Sequence, residues 1–301
     1  MTHPASSPRP LDAAALRHWP LPATHDIADK EDRGQVLVIA GSREIPGAAL
    51  LAATAALRAG AGKLTIATGQ SMAAHLALAV PEARVIALDE SSDGTLQAAG
   101  VKALNDCAAA CSAVLVGPGL TGGDACADFL SALLDMLQQV APPGQLPVVL
   151  DALGMDALLD RRQTSTRQPL LLTPHAGEMA HLTGLRKEDI QANPAAVAAD
   201  TARRFGATVA LKGATTFIVT PEGQPWQHDG GNPGLATSGS GDVLAGVIAG
   251  LAARGAPLEQ AAVWGVVIHA LAGHRLSQRH GPVGFLAREL LGEIPGVMRS
   301  L

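Results

Sequence analysis

GQVLVIAGSREIPGAALLAATAALRAGAGKLTIAT (34–68) reads as strand, helix, strand. GQVLVIAG (34–41) is a short β-branched run closed by Gly41, GAALLAATAALRAGAG (47–62) is a small-residue helix ending in glycines, and KLTIAT (63–68) is a second strand. Continuous apolar strands separated by helices indicate a parallel sheet covered on both faces. The alternation runs on through ARVIAL (83–88), a helix near 95–110, SAVLVG (112–117), a helix near 124–140 and LPVVLDA (146–152). Past residue 205 the rhythm changes. ATVALKG (207–213), TTFIVTPEG (215–223) and PWQHDGG (225–231) are short runs joined by turn segments, expected as an antiparallel meander at one edge of the sheet. Alanine- and glycine-rich helices follow at 242–253 and about 258–278. With no internal repeat and no long linker, the expectation is an N-terminal arm (1–25) and a single three-layer α/β domain (26–301).

Composition narrows the function. The 301 residues are 48% hydrophobic but only 2% aromatic, so aliphatic and alanine packing must build the interior. A net charge of −5, with no basic block and no aromatic-interleaved patch, leaves phosphate tracking and base stacking without a carrier. Nucleic acid is therefore not expected as a partner. No apolar run reaches the roughly 20 residues that span a bilayer, and the N-terminus lacks a signal-type apolar core. A cytoplasmic protein without a membrane partner is expected. Cys107, Cys111 and Cys126 form no CxxC pair and read as small apolar side chains rather than as a disulfide or zinc framework.

In open α/β sheets ligands lie beyond the carboxyl ends of the strands, so the informative residues follow each apolar run. These are Gly41-Ser42, Gly117 to Leu120, Asp151-Ala152, Thr173 to His175, Lys212-Gly213 and the segment from Gly230 to Asp242. The strongest local signal is GGNPGLATSGSGDVLAG (230–246), a glycine-rich loop opening into an apolar helix. Amides of Gly239, Ser240 and Gly241 at a positive helix terminus would cradle a phosphate or a transferring phosphoryl group. The plainer alternative is that Ser240 caps the helix and Asp242 favours its first turn. Asp242 at such a terminus should have its charge stabilised and be a weak base, which phosphoryl transfer tolerates because its transition state is loose.

Other patterns carry less. Gly117, Gly119 and Gly122 fit GxGxxG, but Pro118 occupies the tight turn; GAGKL (60–64) has Leu64 where a phosphate-binding loop needs Ser or Thr. His175, Glu178 and His181 form HxxExxH, whose offsets spread across a helix, and His269 and His274 fall on different faces, so no metal cluster is expected. His175 ends a strand and is placed for a substrate hydrogen bond. Lys212 reads equally as a solvated edge-strand lysine or as a nucleotide contact.

The ordered set GS-x4-GAALLAATAALRAGAGKLTIAT (41–68), VGPGL (116–120), VVLDA (148–152), LLTPHAGEM (171–179), LKGATTFIV (211–219) and NPGLATSGSGDVLAGVIAGL (232–251) resembles the ADP/ATP-dependent NAD(P)H-hydrate dehydratases. The resemblance implies a ribokinase-like three-layer sandwich, a mostly parallel central sheet with an antiparallel edge meander. It implies that hydrated NADH or NADPH is restored by ADP or ATP with Mg2+: the ring hydroxyl is phosphorylated and phosphate then leaves. Carried over, Asp242 orients or deprotonates the hydroxyl, and Gly239, Ser240 and Gly241 form the anion hole. Lys212, Gly213, Ala214, Thr215 and Thr216, with Gly241, match nucleotide contacts; Ala48, Gly119, His175 and Asp242 match positions that hold the hydrated dinucleotide. No metal ligand is assigned. DALGMD (151–156) departs from the family's DADALN, with Leu153 replacing a carboxylate and Asp156 an Asn; Glu289 stands where Asp is common, and DKEDRG (29–34) matches the usual lead-in weakly. The arm is too short for the epimerase often fused to such enzymes, so the S epimer is the expected substrate. The resemblance also suggests a homo-oligomer. A small-molecule kinase of the same fold shares the GxGD loop, and a non-catalytic nucleotide-binding regulator would keep the glycines without needing Asp242.

Overall fold

A computed structural model describes residues 7–23, 29–159 and 167–301. Its ten strands are β1 (Arg9–Pro10), β2 (Gln35–Ile39), β3 (Lys63–Gly69), β4 (Ala83–Leu88), β5 (Ala113–Val116), β6 (Val148–Leu150), β7 (Leu170–Leu172), β8 (Thr208–Leu211), β9 (Thr216–Val219) and β10 (Trp226–His228). They form one sheet in the order β1-β10-β9-β8-β7-β6-β5-β2-β3-β4. From β8 to β4 every neighbouring pair is parallel, whereas β8, β9 and β10 run antiparallel as the expected meander. The chain winds outward from β2 to β4, then returns to place β5 on the other side of β2. That reversal opens a crevice at the carboxyl ends of β2 and β5.

The helices are α1 (Ala13–Arg17), α2 (Pro46–Arg58), α3 (Gln70–Ala79), α4 (Asn105–Ala110), α5 (Asp124–Leu137), α6 (Ala176–Thr183), α7 (Lys187–Ala192), α8 (Pro194–Phe205), α9 (Ser240–Ala253), α10 (Leu258–His280) and α11 (Ala287–Ser300). Successive residues of a strand face opposite layers. Val36 and Val38 accordingly pack with α2, α9, α10 and α11 on one face, and Leu37 and Ile39 with α5 and α8 on the other. Because α9 is apolar all round it lies inside the first layer rather than on the surface. A methyl group added at Gly246 would stand 2.1 Å from the Ala52 carbonyl oxygen, so glycine is what lets α9 lie directly on α2.

Three features differ from the expectations. The meander does not end the sheet: β1 pairs in parallel with β10 and becomes the edge, so part of the proposed arm is a strand. Residues 1–6 and 24–25 of that arm lie outside the described residues. The stretch near 95–110 is a 3-10 helix (Ala98–Leu104) leading into α4 rather than one helix. Helices α3, α7, α8 and α11 have no counterpart in the sequence reading; α3 is mostly exposed, with Leu78 at 85%, so it lacks the apolar stripe that marks a helix.

Candidate active site

The carboxyl ends of β5, β6, β7 and β8 converge with the N-terminus of α9. Gly117 follows β5 with φ +122°, and a Cβ there would lie 1.7 Å from the Asp151 carbonyl oxygen, so only glycine admits this approach. Asp151 follows β6 and is buried. Ala152 after it has φ +47°, the one described non-glycine residue in the left-handed region, a strained turn at the head of the site. Thr173, after β7, donates its hydroxyl to Asp151 Oδ1 at 2.5 Å. The amide of Lys212 donates to the Pro174 carbonyl at 2.8 Å, carrying β8 one residue further along β7. Lys212 Nζ then reaches Asp151 Oδ1 at 3.0 Å and Glu178 Oε2 at 3.8 Å.

Lys212 is thus not on an edge strand, and its side chain is only partly exposed: β8 lies between β7 and β9, and the ammonium is held by two carboxylates. Burial opposes its charge, but Asp151, Glu178 and Asp242 outweigh burial and hold its pKa above the ordinary value. Asp242 behaves in the opposite sense to the sequence expectation. Burial first, then the Asp151 carboxylate, push it up to about 6, with Glu178 adding and Lys212 opposing. A helix terminus favours the anion, but neighbouring carboxylates and loss of water decide the sign. The result is a carboxyl whose pKa is raised toward neutrality.

The α9 mouth is built as expected in part. Gly239 is the N-cap with φ +87°, so Ser240 does not cap the helix. No described residue accepts from the amides of Gly239, Gly241 or Asp242, but the Ser240 amide donates to the Thr237 carbonyl at 3.2 Å. Ser240 therefore leaves the expected set of free anion-hole amides. Its hydroxyl instead meets His269 Nε2 at 3.0 Å, and burial pushes His269 down to about 4, leaving the ring neutral at physiological pH.

Beside this mouth lies a cavity of about 640 Å³, lined by Lys212, Gly213, Ala214 and Thr216 on one side and by Ser240, Gly241 and His269 on another. Thr215 faces a neighbouring hollow and donates to Asp229 Oδ1 at 2.9 Å. His175 borders both the large cavity and a second one of about 360 Å³ that also contains Leu153, Asp156, Glu178 and His181. Its Nδ1 caps α6 by accepting from the amides of Gly177 and Glu178, which leaves Nε2 for other partners. Glu178 Oε2 accepts in turn from the His175 amide at 2.7 Å, while His181 Nε2 stands 3.2 Å from Asp156 Oδ1. Ala48 and Gly119 pack against each other across the β2–β5 crevice and line none of these cavities.

Sequence reasoning left Asp151 and Glu178 without roles and did not pair Ser240 with His269. Glu178, three residues after the cap His175, had the spacing of a capping box as its signal. Nothing in the sequence links Ser240 to His269.

A family model for NAD(P)H-hydrate dehydratase matches residues 36–296. The chain belongs to that family. It is 47% identical over 293 residues to the ADP-dependent (S)-NAD(P)H-hydrate dehydratase of Xanthomonas campestris, covering 97% of each chain. It superposes with TM-score 0.77 and 30% identity on the ADP/ATP-dependent NAD(P)H-hydrate dehydratase of Bacillus subtilis co-crystallised with ATP and Mg2+, covering 93% of this chain and 94% of that one. A ribokinase-like superfamily protein from Enterococcus faecalis superposes with TM-score 0.82 and 26% identity, covering 97% and 95%. The sandwich of this dehydratase-family chain is ribokinase-like, and its TPHAGE and GSGD segments meet at the Lys212 cluster.

Proposed function

We propose that the chain restores S-hydrated NADH and NADPH by phosphorylating the ring hydroxyl with ADP or ATP and then eliminating phosphate. The observation that carries this reading is geometric: Asp242 stands in the first turn of α9 with the unshared amides of Gly239, Gly241 and its own, where Ser240 and Gly241 line the cavity of about 640 Å³. The nucleotide would occupy the cavity of about 640 Å³, against Gly213, Ala214 and Thr216, its phosphates toward α9. The hydrated ring would lie between His175 and the Ala48–Gly119 pair. Asp242 orients the hydroxyl and takes its proton as the phosphoryl group arrives; the loose transition state makes positioning the larger share of the work. The C–O bond then breaks as the ring nitrogen lone pair releases phosphate, and loss of a proton from the adjacent carbon restores the double bond.

Among the described residues no three His, Cys, Asp or Glu side chains are grouped to hold a cation. Asp151 and Glu178 are already engaged by Lys212. The side chains therefore do not fit a free-standing magnesium site, and no step is assigned to the metal. Cytoplasmic location and assembly as a homo-oligomer belong to the same reading, the latter checked by light scattering.

Incubation with hydrated NADH and either nucleotide tests the reaction through the near-ultraviolet absorbance of the reduced ring. Its return, with one phosphate released per ring restored, is expected. No return, together with phosphorylation of a vitamin alcohol, would establish a kinase instead.

A further inference from the structure

Four charged side chains from four distant segments meet at the end of the sheet: Asp151 after β6, Glu178 on α6, Lys212 after β8 and Asp242 on α9, where a Cβ at the preceding Gly241 would stand 3.4 Å from Lys212 Nζ. Three are acidic and one is basic. Lys212 Nζ is shared between Asp151 at 3.0 Å and Glu178 at 3.8 Å, and Asp151 is anchored by Thr173 at 2.5 Å. The ammonium is thereby held at the wall of the cavity of about 640 Å³. It is the counter-charge that lets three carboxylates, of which Asp151 is buried and the other two partly exposed, stand close together. Among the described residues the charged groups that act on Asp242 are Asp151, Lys212 and Glu178, while His269 on α10, its pKa lowered by burial, meets the Ser240 hydroxyl instead.

We propose that Asp151 is a positioning residue which, by its own charge and by its hold on Lys212, governs when Asp242 is free to accept the substrate proton. The inference builds on the dehydratase reading above, which supplies the role of Asp242. Asp151 touches neither substrate nor nucleotide in this scheme; its carboxylate repels the Asp242 anion directly and restrains the ammonium that would otherwise stabilise it. Removing the Asp151 charge therefore acts twice in one direction, whereas removing Lys212 acts in the other.

The test compares the acid limb of the pH–rate profile in Asp151→Asn and Lys212→Met, with Lys212→Arg as the conservative control. The limb should move down by about one pH unit in D151N and up by about one in K212M, with K212R near the parent. Loss of rate in both variants with unmoved limbs would overturn the proposal, because simple structural damage gives no shifts of opposite sign. Should K212M fail to fold, Lys212→Gln serves in its place and should likewise move the limb up. Carboxyl-carbon NMR, with the Asp242 signal identified by its loss in Asp242→Asn, reads the same shifts without turnover. If no dehydration occurs but the Asp242 titration moves as stated, the functional reading fails and the coupling stands. If dehydration proceeds and the titration is unmoved, the coupling alone fails.

Discussion

Replacing Asp242 with Asn separates two consequences of its burial. Turnover should fall by about 10²- to 10⁴-fold, the usual contribution of a positioned acid or base, while nucleotide binding measured by calorimetry is largely kept. In the parent, the rate should fall as the pH drops through about 6, where Asp242 becomes protonated. Stability runs the other way. A carboxyl whose folded pKa is raised above its unfolded value of 3.8 favours folding when protonated and opposes it as pH rises through about 6. Asn at this position should thus stabilise the protein at neutral pH by roughly 1–2 kcal/mol, with the difference vanishing below the unfolded pKa. Urea unfolding at neutral and acid pH measures it; a neutral-pH loss of stability would contradict the assigned environment. At this scale the sequence singled out Asp242 but gave the wrong direction of its shift. The helix terminus is local and visible, whereas Asp151, Glu178 and Lys212 arrive from segments far away in the chain.

Among elements, the contact between α2 and α9 is the most exacting. Alternation of apolar strands with small-residue helices was enough to place β2, β3 and β4 within a residue or two of their limits. It did not show why the helix after the glycine-rich loop carries glycines at 246 and 250. Methyl groups at these positions would meet the carbonyl oxygens of Ala52 and Ala56 at 2.1 and 2.4 Å. Backbone cannot yield cheaply, so Gly246→Ala should push the helices apart and destabilise by about 1–3 kcal/mol, read from the urea midpoint. An unchanged midpoint would mean that the two helices are not in direct backbone contact. Because α9 also presents Gly241 and Asp242, some loss of turnover should accompany the loss of stability.

For the whole molecule, the described residues 7–23 before β2 pack onto the sheet and its first helical layer. Leu11 and Leu16 are buried in the first helical layer, the Trp19 ring stacks on Trp226 with centroids 6.0 Å apart, and its carbonyl accepts from Gln260 and Trp264. Leu16→Ala should therefore cost about 2–5 kcal/mol in one cooperative transition. A separate early transition, or no loss at all, would mark the segment as an independent arm. Local pattern alone specified the strand–helix rhythm, the glycine-rich mouth and the family, since these depend on residues near one another in sequence. Only the tertiary structure decided that β8 is interior, that β1 closes the sheet, that Ser240 turns to His269 and that Asp242 is raised. Each of these depends on which distant groups share a water-poor space, and charge interactions and desolvation act through that space rather than along the chain.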